Sequence, residues 1–96
     1  ITQSDFTYDK SSLKIMFKEN DLELTHAEYE VMLCLLTNTN AVVSREQIVA
    51  SCETLSDIYS KSLDVIIGRL RNKLGDDSKN PRYLHSIRGL GYKLSQ

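Results

Sequence analysis

The sequence predicts one small α+β domain in which an antiparallel sheet comes first, three helices follow and a β-hairpin closes the chain. Three observations support this prediction. Residues 5–24 alternate between apolar and polar side chains, helical apolar spacing recurs three times between residues 25 and 75, and two glycines bracket a turn near residue 90. With 96 residues, 41% of them hydrophobic, the chain is long enough to bury a single small core.

The N-terminal segment is predicted to form short strands, because its apolar side chains recur with period two. Turn-forming side chains at positions 9–12 and 19–21 separate these strands, so we expect an antiparallel meander. The predicted strands are Asp5–Tyr8, Leu13–Phe17 and Leu22–Leu24.

Two capping signals mark the starts of the first two helices. Thr25 with Glu28 opens the first, and Ser44 with Gln47 opens the second; in each pair the two side chains satisfy free backbone amides reciprocally. Between the helices, residues 41–43 are apolar and favour a short strand. The second helix is expected to bury Ile48, Val49 and Cys52.

The third helix is predicted from about Ser60 to Leu74, with Gly75 ending it in a left-handed cap. Its core stripe has a 4-3-4 spacing, which keeps Leu63, Ile67, Leu70 and Leu74 within about 60° on one face. The outward face carries Lys61, Ser62, Val65, Arg69 and Asn72, and its flanks carry Arg71 and Lys73.

A hairpin is predicted after the polar loop at residues 76–81. Its strands, Tyr83–Ile87 and Tyr92–Leu94, flank the turn Arg88–Gly91, where glycine adopts positive φ without steric cost. Arg88 is therefore expected near the tip of the hairpin.

Charge is distributed unevenly along the chain. Residues 1–60 hold four basic and ten acidic side chains, whereas residues 61–96 hold eight basic and three acidic ones. In a chain whose net charge is −1, such a basic half indicates a polyanionic partner for that half. A solvated charged surface is the alternative interpretation of the count alone.

The outward face of the third helix has a composition that suits the major groove of B-form DNA. Arginine pairs with guanine, and a small apolar side chain such as Val65 meets a thymine methyl. Arg71 and Lys73 suit phosphates, and Arg88 suits a narrow minor groove. The alternatives are an ordinary solvated helix face and, as a function, a domain of the transcription machinery that binds an acidic protein.

The remaining polar residues give no pattern for catalysis, metal or cofactor binding. Cys34 and Cys52 match no zinc spacing, so we expect buried, reduced thiols in a cytoplasmic protein. His26 and His85 lie on different elements, and neither belongs to a recognisable arrangement of nucleophile and base. We therefore expect no cofactor, no metal and no enzymatic activity.

The ends and the hydropathy of the chain bear on its context. The sequence has no apolar run long enough to cross a bilayer, and its start lacks the features of a signal peptide. Because the sequence begins with Ile1 rather than methionine, we expect residues 1–96 to be a fragment or one domain of a longer chain.

Several motifs occur together in a familiar order. They comprise Leu63–Gly75 with its R-L-R centre, Pro81, and Ser86–Leu94 with its R-G-x-G-Y segment, preceded by Leu24-Thr25 with Glu28 and by Val43–Glu46 with Ile48. In this combination the chain resembles the C-terminal effector domains of OmpR/PhoB-type response regulators over nearly its whole length. The R-G-x-G-Y segment together with the R-L-R helix makes the resemblance specific.

The resemblance implies a winged helix-turn-helix fold with a four-stranded N-terminal sheet. It places Ser62, Val65 and Arg69 at base-reading positions and Arg88 at the wing position that enters the minor groove. Positions facing the DNA backbone are Lys61, Arg71 and Tyr92, to which we add Lys73 and Lys93. For Tyr92, packing of the ring in the core is an equal alternative.

Partners are implied in the same way. The family binds double-stranded DNA, commonly as homodimers on direct repeats, and carries a receiver domain that a cognate histidine kinase phosphorylates. The loop between the second and third helices matches a segment that some members use to contact RNA polymerase. Its residues here are Glu53, Thr54, Leu55, Ser56, Asp57 and Ile58.

Two positions depart from the family pattern. Many members have a histidine where this chain has Ile66 and a basic residue where it has Gly68, so contacts to the DNA backbone would be lost. Glycine inside a helix costs ~1 kcal/mol relative to alanine, and close approach of another backbone is one explanation for its presence. We expect weaker phosphate binding by the isolated domain and a greater dependence on dimerisation.

Overall fold

The computed structural model describes residues 5–52, 62–77 and 79–95, with the backbone alone at Ser62. Within these ranges the chain forms six strands and three helices. In chain order they are β1 (Phe6–Asp9), β2 (Lys14–Phe17), β3 (Asn20–Asp21), α1 (His26–Thr37), β4 (Val42–Ser44), α2 (Arg45–Ser51), α3 (Ser62–Leu74), β5 (Leu84–Ile87) and β6 (Gly91–Leu94).

The N-terminal sheet is an antiparallel meander in the order β1-β2-β3. The prediction of its third strand at Leu22–Leu24 is wrong, because β3 pairs with β2 already at Asn20–Asp21. The turn consists of Lys18 and Glu19, both with positive φ (50° and 70°), as in the two-residue turns that match the twist of a hairpin. Among the described residues the sheet has three strands rather than the four that the resemblance implied.

Both predicted capping boxes are present. The Glu28 amide donates to Thr25 Oγ1 and the Thr25 amide to Glu28 Oε1, at 3.3 and 3.0 Å. The Gln47 amide donates to Ser44 Oγ and the Ser44 amide to Gln47 Oε1, both at 3.1 Å. Each helix therefore begins where its local sequence predicts.

The third helix ends at Leu74, and Gly75 follows with a φ of +68°. The Gly75 amide donates to the Asn72 carbonyl and the Asp76 amide to the Arg71 carbonyl, which together form a Schellman cap. All four residues of the predicted core stripe are buried: Leu63, Ile67, Leu70 and Leu74. Ile66 is buried too, so this position faces the core of the domain and not a DNA backbone.

The second sheet has the order β4-β6-β5 and contains the predicted hairpin, which we call the wing (residues 84–94). Gly91 lies where β6 pairs with β4, opposite Ser44, and a Cβ on Gly91 would stand 2.0 Å from the Val43 carbonyl oxygen. Only glycine therefore allows the wing to pair with β4 at this position. The pairing holds the wing beside the start of α2, since Ser44 is the N-cap of that helix.

An aromatic cluster joins the first sheet to the rest of the core. The Tyr83 ring meets the rings of Phe6 and Phe17 edge-on, with centroids 5.6 and 5.0 Å apart. Its hydroxyl donates to the Asp5 carboxylate at 2.7 Å. Such edge-to-face contacts add to the burial of the rings.

Candidate nucleic-acid interface

The outward face of α3 is exposed, as the spacing of its residues predicts. Arg69 and Asn72 are exposed, and Val65 is 48% exposed, so this face presents an apolar side chain beside polar ones. Among the described residues Arg69 has no hydrogen-bond or ion-pair partner. Ser62 starts the helix, but its side chain lies outside the described residues, as does the whole of Lys61.

Tyr92 connects the wing to α3 and α2. Its ring is buried, and its hydroxyl donates to Asp64 Oδ1. Arg45 Nη1 donates to the same carboxylate oxygen at 2.8 Å and to the Tyr92 hydroxyl at 3.3 Å. The hydrogen bonds from Tyr92 and Arg45 hold the pKa of Asp64 below its ordinary value, while burial and the Asp64 carboxylate raise the pKa of Tyr92.

Arg71 forms a second connection between α3 and the wing. Its Nε and Nη2 both donate to the Leu84 carbonyl oxygen, at 3.3 and 3.1 Å, and Nη2 also donates to Ser86 Oγ at 2.9 Å. The guanidinium is therefore fixed beside β5 and only half-buried. Its position is compatible with a phosphate contact, but its hydrogen bonds already give it a structural role.

Lys73 points away from the outward face of α3. Its Nζ lies 2.6 Å from Glu28 Oε1 and donates to the Glu23 carbonyl oxygen at 2.9 Å. Glu28 is 2% exposed; burial alone would raise the pKa of its carboxyl, but the hydrogen bonds from Lys73 and Thr25 lower it below its ordinary value. Lys73, predicted from the helical wheel to face phosphates, thus neutralises a buried carboxylate.

The tip of the wing is a tight turn with an exposed arginine. The Leu90 amide donates to the Ile87 carbonyl at 2.9 Å, and Gly89 in the third position has a φ of +77°, as a type II turn requires. Arg88 and Leu90 are exposed, and Lys93 on β6 is half-buried. The wing therefore presents Arg88 at its end, as the sequence predicted.

Asp76 is a residue whose role the sequence did not reveal. Its carboxylate accepts hydrogen bonds from the amides of Arg82, Tyr83 and Leu84, at 2.7, 3.1 and 2.8 Å. Partial burial opposes ionisation, but these amides lower the pKa of the carboxyl below its ordinary value. Asp76 thereby fixes the path of the chain from α3 into the wing. The only sequence signal for this role is that an aspartate stands at the start of a polar loop.

The described residues contain no cluster of histidine, cysteine or acidic side chains that could hold a metal ion. Cys34 and Cys52 are free and buried, and burial raises the pKa of the Cys52 thiol to about 11, so it is a poor nucleophile.

The predicted polymerase-contact loop, residues 53–58, lies outside the described residues. None of the described helices has the length and apolar composition that crossing a membrane requires.

Residues 19–94 match the family described as the C-terminal domain of transcriptional regulatory proteins. The chain belongs to this family. Its fold is the winged helix-turn-helix of OmpR/PhoB-type effector domains, with α3 in the place of the recognition helix and β5–β6 as the wing.

Solved structures of effector domains from this family superpose on the whole chain. The DNA-binding domain of Klebsiella pneumoniae RstA, in complex with the RstA box, is 25% identical with a TM-score of 0.84, over 99% of this chain and 95% of that one. The C-terminal effector domain of Acinetobacter baumannii BfmR is 30% identical with a TM-score of 0.76, over 99% and 88%.

A longer relative is similar over part of its length. The chain matches the Thermotoga maritima OmpR/PhoB homolog DrrB at 28% identity and a TM-score of 0.78, covering 100% of this effector domain but 44% of DrrB. These comparisons agree with the family and the fold.

Proposed function

We propose that this effector domain binds double-stranded DNA in a sequence-specific manner and thereby regulates transcription. The observation that carries the proposal is the exposed face of α3, where Val65 and Arg69 project beside a wing that Tyr92 and Arg71 fix to the same helix. A helix that exposes an arginine and an apolar side chain on one face suits base edges in the major groove.

The proposed roles of the side chains follow from their positions. Val65 and Arg69, with Ser62, read bases, and Arg88 enters the adjacent minor groove. Lys61, Arg71 and Lys93 bind the DNA backbone, which contributes affinity rather than sequence choice. Tyr92 and Lys73 stabilise the elements that form this surface without contacting DNA, because their polar atoms bind Asp64 and Glu28.

Partners beyond DNA belong to the same proposal. The match to 44% of DrrB supports a longer protein in which a receiver domain, phosphorylated by a histidine kinase, precedes this one. Dimerisation on direct repeats would then compensate for the missing basic side chain at position 68. We further propose contact with RNA polymerase through residues 53–58, a cytoplasmic location and no enzymatic activity, in keeping with the family match.

Selection of duplexes from a random pool tests the function directly. The domain should enrich one short sequence, bind it roughly 10³-fold or more tightly than random duplex, and lose affinity linearly in a log–log plot against salt. Enrichment of no sequence, together with salt-independent or absent duplex binding, would overturn the proposal. It would favour a winged helix that binds an acidic protein instead.

A further inference from the structure

Gly68 is a residue whose presence the protein's own structure does not explain. It lies in the middle of α3, where glycine is less favourable than alanine. It is not among the glycines with positive φ, which are Gly75, Gly89 and Gly91. A Cβ built on Gly68 would meet no atom of another described segment within 4 Å, so close approach of the described residues does not explain it either.

The surroundings of Gly68 point to a ligand. On a helix, residues three and four apart share a face, so Gly68 lies between Asp64 and Arg71. Those two residues hold the wing: Asp64 through the Tyr92 hydroxyl, and Arg71 through the Leu84 carbonyl and Ser86. Gly68 itself is exposed, so the bare main chain of α3 is open to solvent between the two connections to the wing.

A DNA strand is the occupant that this place fits. If α3 lies in the major groove and the wing reaches the next groove, the sugar–phosphate chain between the grooves passes between them. Gly68 places no side chain in the path of this sugar–phosphate chain. Val65 lies three residues before it and Asn72 four residues after it, and their side chains project on either side. Arg71, three residues after Gly68 on the same face of α3, donates a hydrogen bond to Ser86 of the wing.

We propose that Gly68 is the point where the DNA sugar–phosphate chain packs directly against the main chain of the recognition helix. Absence of a side chain at position 68 thus sets how deeply α3 enters the groove, and with it the reach of Arg69 to base edges. This inference rests on the proposed function, since it takes duplex DNA as the ligand. It differs from a missing phosphate contact, because the fit depends on shape and not on charge.

The test is the Gly68→Ala variant of the same domain, measured for thermal unfolding and for binding to the selected duplex and to a scrambled duplex of equal length. Alanine should raise Tm by about 4–8 °C, as expected for the helix-propensity gain in a domain of this size. It should weaken binding to the scrambled duplex by roughly tenfold and to the selected duplex by more, because an added Cβ lifts the DNA chain off the helix and draws Arg69 away from the base edges. The slope of log affinity against log salt should stay unchanged, since no charge is altered.

Gly75→Ala is the matched control, because Gly75 also has open space around its Cβ position but has a φ of +68°. It should lower Tm and leave the duplex affinity of the folded domain within about twofold of the parent, since only the backbone strain differs. A Gly68→Ala domain that binds DNA as tightly as the parent, or one with a lower Tm, would overturn the proposal. Absence of duplex binding by the parent domain would instead mean that the proposed function is wrong.

Discussion

The hydroxyl of Tyr92 in the wing donates a hydrogen bond to the Asp64 carboxylate in the recognition helix. Arg45 at the start of α2 donates to the same oxygen, so one carboxylate joins both helices of the helix-turn-helix to the wing. The wing and the recognition helix are therefore positioned relative to each other by polar contacts as well as by the core. The proposed DNA-binding surface needs such a fixed relationship, because in that proposal α3 and the wing each enter their own groove.

Tyr92→Phe removes the hydroxyl and leaves the buried ring and the Arg45–Asp64 ion pair in place. We expect the free energy of unfolding at pH 7 to fall by about 1 kcal/mol, the net value of one hydrogen bond at a half-exposed site. Because the native pKa of Asp64 is lowered, this stability is present above the ordinary carboxyl pKa and is lost as pH falls through the native value. Urea denaturation of both proteins across pH 7 to 2.5 should show the curves converging in acid.

DNA binding by the same variant separates the two interpretations of Tyr92. If the hydroxyl acts only through Asp64, the selected duplex should bind within about threefold of the parent, less than loss of a direct base contact would cost. A larger loss with unchanged stability would identify Tyr92 as a direct contact to the DNA backbone.

Lys73→Met keeps the length of the side chain but removes the charge opposite Glu28. We expect a loss of about 3 kcal/mol at pH 7, at the lower end for a broken buried pair because Lys73 is 31% exposed. The native pKa of Glu28 is lowered in the parent, so this contribution is lost as pH falls through that native value, and the two proteins should approach each other in acid. Chemical denaturation monitored by circular dichroism measures the difference.

The DNA affinity of folded Lys73→Met decides whether Lys73 also contacts phosphate. Since Glu28 occupies the ammonium group, the affinity and its salt dependence should match those of the parent. If the slope of log affinity against log salt concentration is smaller by about one, the variant has lost a phosphate contact, and Lys73 binds the DNA backbone.

Arg69→Ala should leave stability unchanged, because the described residues offer this guanidinium no partner. Binding to the selected duplex should weaken by roughly 1–3 kcal/mol, and the preference at one base position should relax. Repeating the selection with the variant measures both. Arg71→Ala is the comparison: it should lower stability through loss of the Leu84 contact and weaken all sequences about equally. Unchanged base preference in Arg69→Ala would place base reading elsewhere on α3.

Arg88→Ala should reduce affinity most for sites with A·T-rich flanks, where a narrow minor groove attracts arginine. The loss there should be about 1 kcal/mol or more, the low end for a direct base contact. Competition between duplexes that share the selected core but differ in their flanks measures it. Lys79→Ala, another exposed cation of the C-terminal half, is the matched control and should show no flank dependence. Equal loss on both kinds of flank would reduce Arg88 to a phosphate contact.

Local signals predicted much of the fold. The capping pairs at Thr25 and Ser44, the stop at Gly75 and the turn at Gly89 depend on neighbouring residues alone, and each is confirmed. The third strand was misplaced because Asn20 and Asp21, which are typical turn residues, pair in β3, whereas the turn is formed by Lys18 and Glu19 in left-handed conformations. Composition gives no signal for such a turn.

The sequence by itself determined the family, the two faces of the third helix and the basic C-terminal half, because these properties follow from residue type and helical spacing. Tertiary structure alone decided which polar side chains remain available to a ligand. Lys73 and Arg69 are both basic side chains predicted to lie off the core stripe, yet Lys73 binds Glu28 and Arg69 has no partner among the described residues. Glu28 lies far from Lys73 in the sequence, as Tyr92 does from Asp64. No local sequence pattern indicates a contact that forms only after the chain has folded.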